Sequence, residues 1–213
     1  MVEKSFALLK VQLVRIENSF LKAVCDKELM RRPQRWYYLE GLLSQAWQSW
    51  CNFARSYSTT VVRGHTFKSG NTIAPFPWAI SNDAARYNLS RIASNASLVQ
   101  NYQSKFLERK EMTWGDVSKL LQIFIELKMS HERDVLKSPE AASLKDFQNI
   151  RNYCAHLTKE NFANLLQLST GYKGNGLLHP TDLMLWESKG TNEFAFIQWL
   201  TDAQIISELL SEY

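Results

Sequence analysis

The sequence predicts an all-α protein, and three observations carry that expectation. Apolar residues recur at three- and four-residue steps through most of the chain. Helix-opening residues stand at the heads of several of those stretches, at Ser81, at Thr113 with Asp116, and at Ser138-Pro139-Glu140. Glycine and proline cluster mainly around residues 64–77 and 171–176, where the periodicity stops. The architecture expected is a helical bundle over residues 1–213 as a single domain, with a small hairpin or extra helices near the C-terminus.

Leu9, Leu13, Ile16, Phe20 and Val24 alternate with Lys10, Arg15, Glu17 and Lys22, the pattern of an amphipathic helix that Pro33 closes. From Trp36 the same spacing runs through Leu39, Leu43, Trp47, Trp50 and Ala54, so a second helix buries a stripe of indole and leucine. These two are expected as antiparallel neighbours. Between about Ser58 and Ser81 an irregular connection follows, too long for a simple turn. Ser81 or Asn82 then caps a helix carrying Leu89, Ile92, Ala93 and Ala96. Thr113 and Asp116 read as a capping box ahead of Val117, Leu120, Leu121 and Phe124.

At Ser138-Pro139-Glu140 serine caps, proline suits the first helical position and the carboxylate favours the positive helix end. Beyond Leu168, Gly171, Gly174 and Gly176 break the pattern. Leu183–Trp186 and Phe194–Trp199 flank a turn-like S-K-G-T-N and are expected as a hairpin or a helical pair. Thr201 with Gln204 suggests a last capped helix ending near Tyr213.

Hydrophobic residues make up 45% of the 213 and aromatics 12%, which excludes a disordered tail or linker. A net charge of +4 permits an anionic partner such as RNA, but no block of like charges forms a basic tail. Cys25, Cys51 and Cys154 are odd in number and show no C-x-x-C spacing, so neither a disulfide framework nor a zinc site is expected. His65, His131 and His179 stand apart from one another without metal-ligand spacing and receive no role. The N-terminal segment is interrupted by charge, unlike a signal peptide, and no apolar run reaches the ~20 residues needed to cross a bilayer. A cytoplasmic protein with no membrane partner and no cofactor is expected.

The chemistry is carried by Arg151-Asn152-Tyr153-Cys154-Ala155-His156. With Phe147 as the reference on a helical wheel, Ile150, Cys154 and Leu157 form the buried stripe and Arg151 falls at its edge. Asn152 and His156 are one turn apart on a face pointing away from that stripe. Histidine suits proton transfer near neutral pH, and arginine offers a permanently charged fork of donors to a phosphate. The R-N-Y-C-A-H segment resembles the signature motif of the HEPN superfamily, an arginine and a following polar residue with a histidine four to six positions later. The run R-W-Y-Y-L-E-G-L-L-S-Q-A-W from Arg35 is similar to the second helix of some HEPN proteins of defence loci. These features cover the first helical pair and the motif helix; beyond Gly171 nothing matches.

The resemblance implies a metal-independent endoribonuclease in a stress or anti-phage defence system, with Arg151, Asn152 and His156 as the catalytic set. One helix cannot enclose a phosphodiester, so two copies would pack their motif helices across a two-fold axis, the homodimer that the resemblance also implies. The partners expected are RNA, a second copy, and an antitoxin or regulatory protein. In toxin pairs of this superfamily a modifiable tyrosine lies two residues after the histidine; here that position is Thr158, followed by Lys159, which puts that mode of control in doubt. The alternative is a non-catalytic HEPN interaction or nucleotide-binding module. Glu40 reads either as an exposed carboxylate or as a group supporting the motif helix. Arg31, Arg32 and Arg35 read as a solvated basic corner or as phosphate contacts, and Trp36, Trp47 and Trp50 as core.

Overall fold

A computed structural model describes residues 2–31, 33–99, 111–156 and 158–212, and most of them are helical. The long helices are α1 (Val2–Cys25), α3 (Gln34–Val62), α7 (Pro139–Ala155) and α9 (Ala195–Glu212). Shorter ones are α2 (Lys27–Arg31), α4 (Asn82–Ile92), α5 (Val117–Glu126), α6 (Ser130–Val135) and α8 (Lys159–Ser169). Two antiparallel ribbons join them: β1 (His65–Thr66) with β2 (Thr72–Ile73), and β3 (Tyr172–Lys173) with β4 (Glu187–Ser188). The chain divides into two compact units, one of residues 1–9, 50–138 and 206–213, the other of residues 10–49 and 139–205.

In the first unit, Trp50, Phe53 and Tyr57 of α3 are buried with Leu89 of α4 and Ile123 and Phe124 of α5. The polar ends of these aromatics are satisfied, as burial requires. The Trp50 indole donates to the Gly115 carbonyl at 3.0 Å, and the Tyr57 hydroxyl meets the buried Glu132 carboxylate at 3.0 Å. Glu111 accepts from Arg55, Arg86 and Trp114.

The second unit, which holds the predicted motif, is built on an aromatic cluster. Phe147 of α7 stacks on Trp199 of α9 with centroids 5.9 Å apart and meets Trp47 of α3 edge-on at 5.4 Å. Phe20 of α1 packs on Phe196 at 5.0 Å. Leu39, Leu43, Leu144, Ile150 and Leu165 complete this core. Gly174 is required where it stands, because a Cβ there would lie 2.2 Å from the Trp186 ring.

Several expectations need correction. Helix α1 stops at Cys25 rather than at Pro33, because the Asp26 carboxylate accepts from the amides of Glu28 and Leu29 and opens α2. Helix α3 runs on through Ser58 to Val62, where burial of Tyr57, Val61 and Val62 outweighs the weak helix preference of the β-branched residues. The connection that follows is not wholly irregular, since it contains the β1–β2 ribbon. The cap of α5 is Asp116 alone, accepting from the amides of Ser118 and Lys119, and not a Thr113 box.

Ser81 caps α4 as expected, through the Ala84 amide. Helix α7 starts at Pro139, yet the Ser138 hydroxyl makes no hydrogen bond among the described residues. In the C-terminal part, residues 183–185 belong to a 3-10 turn, Pro180–Leu185, and α9 takes in most of Phe194–Trp199 with Thr201 inside it. The ribbon there is β3 with β4 instead. The Ser188–Asn192 turn does form, closed by the Asn192 amide donating to the Ser188 carbonyl at 2.8 Å.

Candidate functional site

Arg151 and Asn152 lie in the last turns of α7, both half-buried, on a helix held in place by the buried Phe147 and Ile150. The Arg151 guanidinium donates to the Asn152 side-chain oxygen at 3.2 Å. The side-chain oxygen therefore orients the arginine, and among the described residues the Asn152 NH2 group is left as a donor. Helix α7 ends at Ala155, so His156 stands one residue past it and is exposed, not on a face inside the helix. Its backbone remains in helical register, its N–H donating to the Asn152 carbonyl at 3.0 Å. Its own carbonyl accepts from the Asn161 side-chain amide. Thr158 caps α8 by accepting from the Asn161 backbone amide. Among the described residues the His156 imidazole has no hydrogen-bond partner. Leu157, expected in the buried stripe, lies outside the described residues, and Cys154 is only partly buried.

A second constellation shares that helix through Cys154. Cys154 Sγ, a Glu40 carboxylate oxygen from α3 and a His179 ring nitrogen all fall within 4.8 Å of one another. His179 Nε2 is 3.3 Å from Glu40 Oε1. Burial pushes the Cys154 thiol up to about 12, the Glu40 carboxylate adds to the rise, and the Arg151 guanidinium opposes it. A thiol so placed is protonated at neutral pH and is a poor nucleophile on its own. Burial likewise lowers the His179 pKa, against the pull of Glu40 and Asp182.

His179 is fixed from three sides. It caps the 3-10 turn, its Nδ1 meets Thr181 Oγ1 at 2.9 Å, and the Trp36 indole stacks on its ring at 5.2 Å and 21°. Asp182 anchors this corner. Its buried carboxylate accepts from the amides of Leu178 and His179, from the Trp36 indole, and from Arg35 at 3.1 Å. Arg35 is thus committed to structure, Arg31 is exposed, and Arg32 lies outside the described residues. Trp47 and Trp50 are core as expected, whereas Trp36 shapes this corner. Glu40 comes near the motif helix, its carboxylate lying within 4.8 Å of Cys154 Sγ and 3.3 Å from His179 Nε2. Sequence reasoning passed over His179 and Cys154, although His179-Pro180-Thr181-Asp182 carries a legible signal: proline at the first helical position and an acid at the third.

At least two clefts open in this unit among the described residues. One, of about 540 Å³, is lined by Arg35, Lys173, Asp182 and Glu187 among others. The other, of about 310 Å³, presents Ser143, Asp146, Tyr172 and Asp202. There the Tyr172 hydroxyl donates to Asp146 at 2.7 Å, and Ser143 and Gln198 donate to Asp202. Burial raises the pKa of both carboxyls, and the hydrogen bonds only partly counter it. No family of known proteins, no curated protein and no solved structure matches the chain. No helix among the described residues is long and apolar enough to cross a membrane.

Proposed function

We propose that the chain is a HEPN-like, metal-independent endoribonuclease whose working groups are Arg151, Asn152 and His156, assembled from two copies of the chain. The observation that carries the reading is an exposed imidazole one helical turn beyond Asn152, whose side-chain oxygen orients the neighbouring Arg151 guanidinium. Cleavage without a metal needs a group that takes the ribose 2′-hydroxyl proton and one that returns a proton to the leaving 5′-oxygen. His156 supplies that chemistry, typically worth roughly 10²–10⁴-fold in rate. Arg151 binds the phosphate and stabilises the charge that builds on it, since its planar fork matches two phosphate oxygens. The Asn152 NH2 group adds a neutral donor. The bond broken is P–O5′ and the bond formed is P–O2′, which leaves a 2′,3′-cyclic phosphate and a 5′-hydroxyl. His156 is too exposed to exclude water alone, which supports a second copy as the opposite wall. A partner that restrains such a nuclease in the cell, an antitoxin or regulatory protein, belongs to the same reading.

The test is cleavage of a mixed pool of cellular tRNA and rRNA in excess EDTA by wild type, His156→Ala and Arg151→Ala, with folding of all three checked by circular dichroism. Cyclic-phosphate ends from wild type and at least a hundredfold slower cutting by each variant are expected. Undiminished cutting by either folded variant, or no cutting by wild type, refutes the assignment. Sedimentation at micromolar concentration should show twice the 24.7 kDa chain mass.

A further inference from the structure

We infer that Glu40, Cys154 and His179 form a binding site for one divalent ion of the zinc class, separate from the groups assigned to RNA cleavage. Three elements converge to make it: α3 brings the carboxylate, the end of α7 the thiol, and the cap of the 3-10 turn the imidazole. Their ligand atoms already lie within 4.8 Å of one another. Around a tetrahedral zinc ion with bonds of about 2.0–2.3 Å, neighbouring ligand atoms sit roughly 3.3–3.8 Å apart. The 3.3 Å between His179 Nε2 and Glu40 Oε1 is such an edge, and the sulfur, within 4.8 Å of both, stands about 1 Å or less from closing the other two.

The imidazole is aimed at the site. Its Nδ1 lies 2.9 Å from Thr181 Oγ1, to which it can donate once Nε2 takes the metal, giving up only the long 3.4 Å bond that it accepts from the Thr181 amide, and Nε2 is directed at the carboxylate. Trp36 stacking, and the bond that the His179 backbone amide donates to Asp182, stop the ring from turning away. Charge also balances. A carboxylate and a thiolate neutralise a 2+ ion, and the thiol proton that the metal replaces goes to solvent. Sulfur and imidazole donors select zinc or cobalt over magnesium and calcium, which prefer oxygen alone. With three protein ligands, a fourth position is left to water. Glu40 and His179 keep 33% and 14% of their side-chain surface exposed, enough for an ion to enter.

The full-length protein, freed of metal, is titrated with Co2+ and then Zn2+ in the absence of RNA. One Co2+ per chain is expected, with intense tetrahedral visible bands and a thiolate-to-cobalt charge-transfer band that Zn2+ displaces. Cys154→Ser should lose the charge-transfer band, His179→Gln and Glu40→Gln should bind at least tenfold more weakly, and Cys25→Ser should match wild type. Zinc at about a hundred times Kd should raise the wild-type Tm by roughly 5–10 °C. Folded wild type that binds no cobalt, or a charge-transfer band that survives Cys154→Ser, overturns the site. If Cys154→Ser does not fold, retention of full affinity by His179→Gln overturns it instead. Because the readout is metal binding without RNA, its failure leaves the nuclease reading intact, and failure of the RNA assay leaves this site intact.

Discussion

Replacing Phe147 with alanine should cost about 4–5 kcal/mol of stability, and the structure fixes why. The ring is fully buried and is one turn before Arg151 on α7. It touches three aromatic partners: Trp199 face to face, Trp47 edge-on, and Phe196 with centroids 6.4 Å apart. Truncation of a buried phenylalanine to alanine costs roughly 3–5 kcal/mol, because the cavity left behind relaxes only in part. Aromatic pairs add about 0.5–1.5 kcal/mol each beyond area burial, which places this site at the upper end. In a chain of this length each kcal/mol moves Tm by about 2–4 °C, so a fall of roughly 8–20 °C is expected. Phe147→Leu preserves most of the volume and should lose about 1–2 kcal/mol. Guanidinium denaturation followed by near-ultraviolet circular dichroism reads both, since Trp47 and Trp199 flank the ring. A loss under about 1 kcal/mol for Phe147→Ala would refute the reasoning, because the ring could not then be the centre of this core.

Asp182→Ala strands four donors around one buried carboxylate and should cost roughly 3–5 kcal/mol in a thermal melt; a shift of under 1 kcal/mol would show that the 3-10 turn is held by other contacts. Asp146 has its pKa raised by burial, so its contribution to stability is complete below its unfolded pKa of about 3.9 and is lost as pH rises through the higher folded value. Asp146→Asn, which still accepts from Tyr172, should therefore raise the denaturation midpoint at pH 7, with the gain shrinking towards zero on acidification below about pH 4; a difference that does not vary with pH contradicts burial as the cause.

Local rules were legible in the sequence and long-range ones were not. The stripe of Leu9, Leu13, Ile16 and Phe20 and the cap at Ser81 depend on neighbours within a turn, and both appear where the pattern puts them. The tail of α3 escaped because β-branched residues favour strands until burial decides otherwise. At the candidate site, Arg151 and Asn152 were singled out by residue type, but their mutual bond was not foreseen, since adjacent helical positions point about 100° apart and only the length of arginine spans the gap. Glu40, Cys154 and His179 lie far apart in the chain and share no spacing. Only tertiary packing assembles them, and the only local trace was the His179-Pro180-Thr181-Asp182 cap.

The junction between α7 and α8 sets how His156 moves. Its peptide is pinned on both sides, by its N–H to Asn152 and by its carbonyl to Asn161, so the ring has two torsions to explore and no backbone search. Exposed side chains reorient in picoseconds to nanoseconds, whereas a typical enzyme turns over about ten times per second. Reorientation of the imidazole is therefore far too fast to limit a reaction of that order, and any reaction in which the ring takes part should be insensitive to solvent viscosity around it.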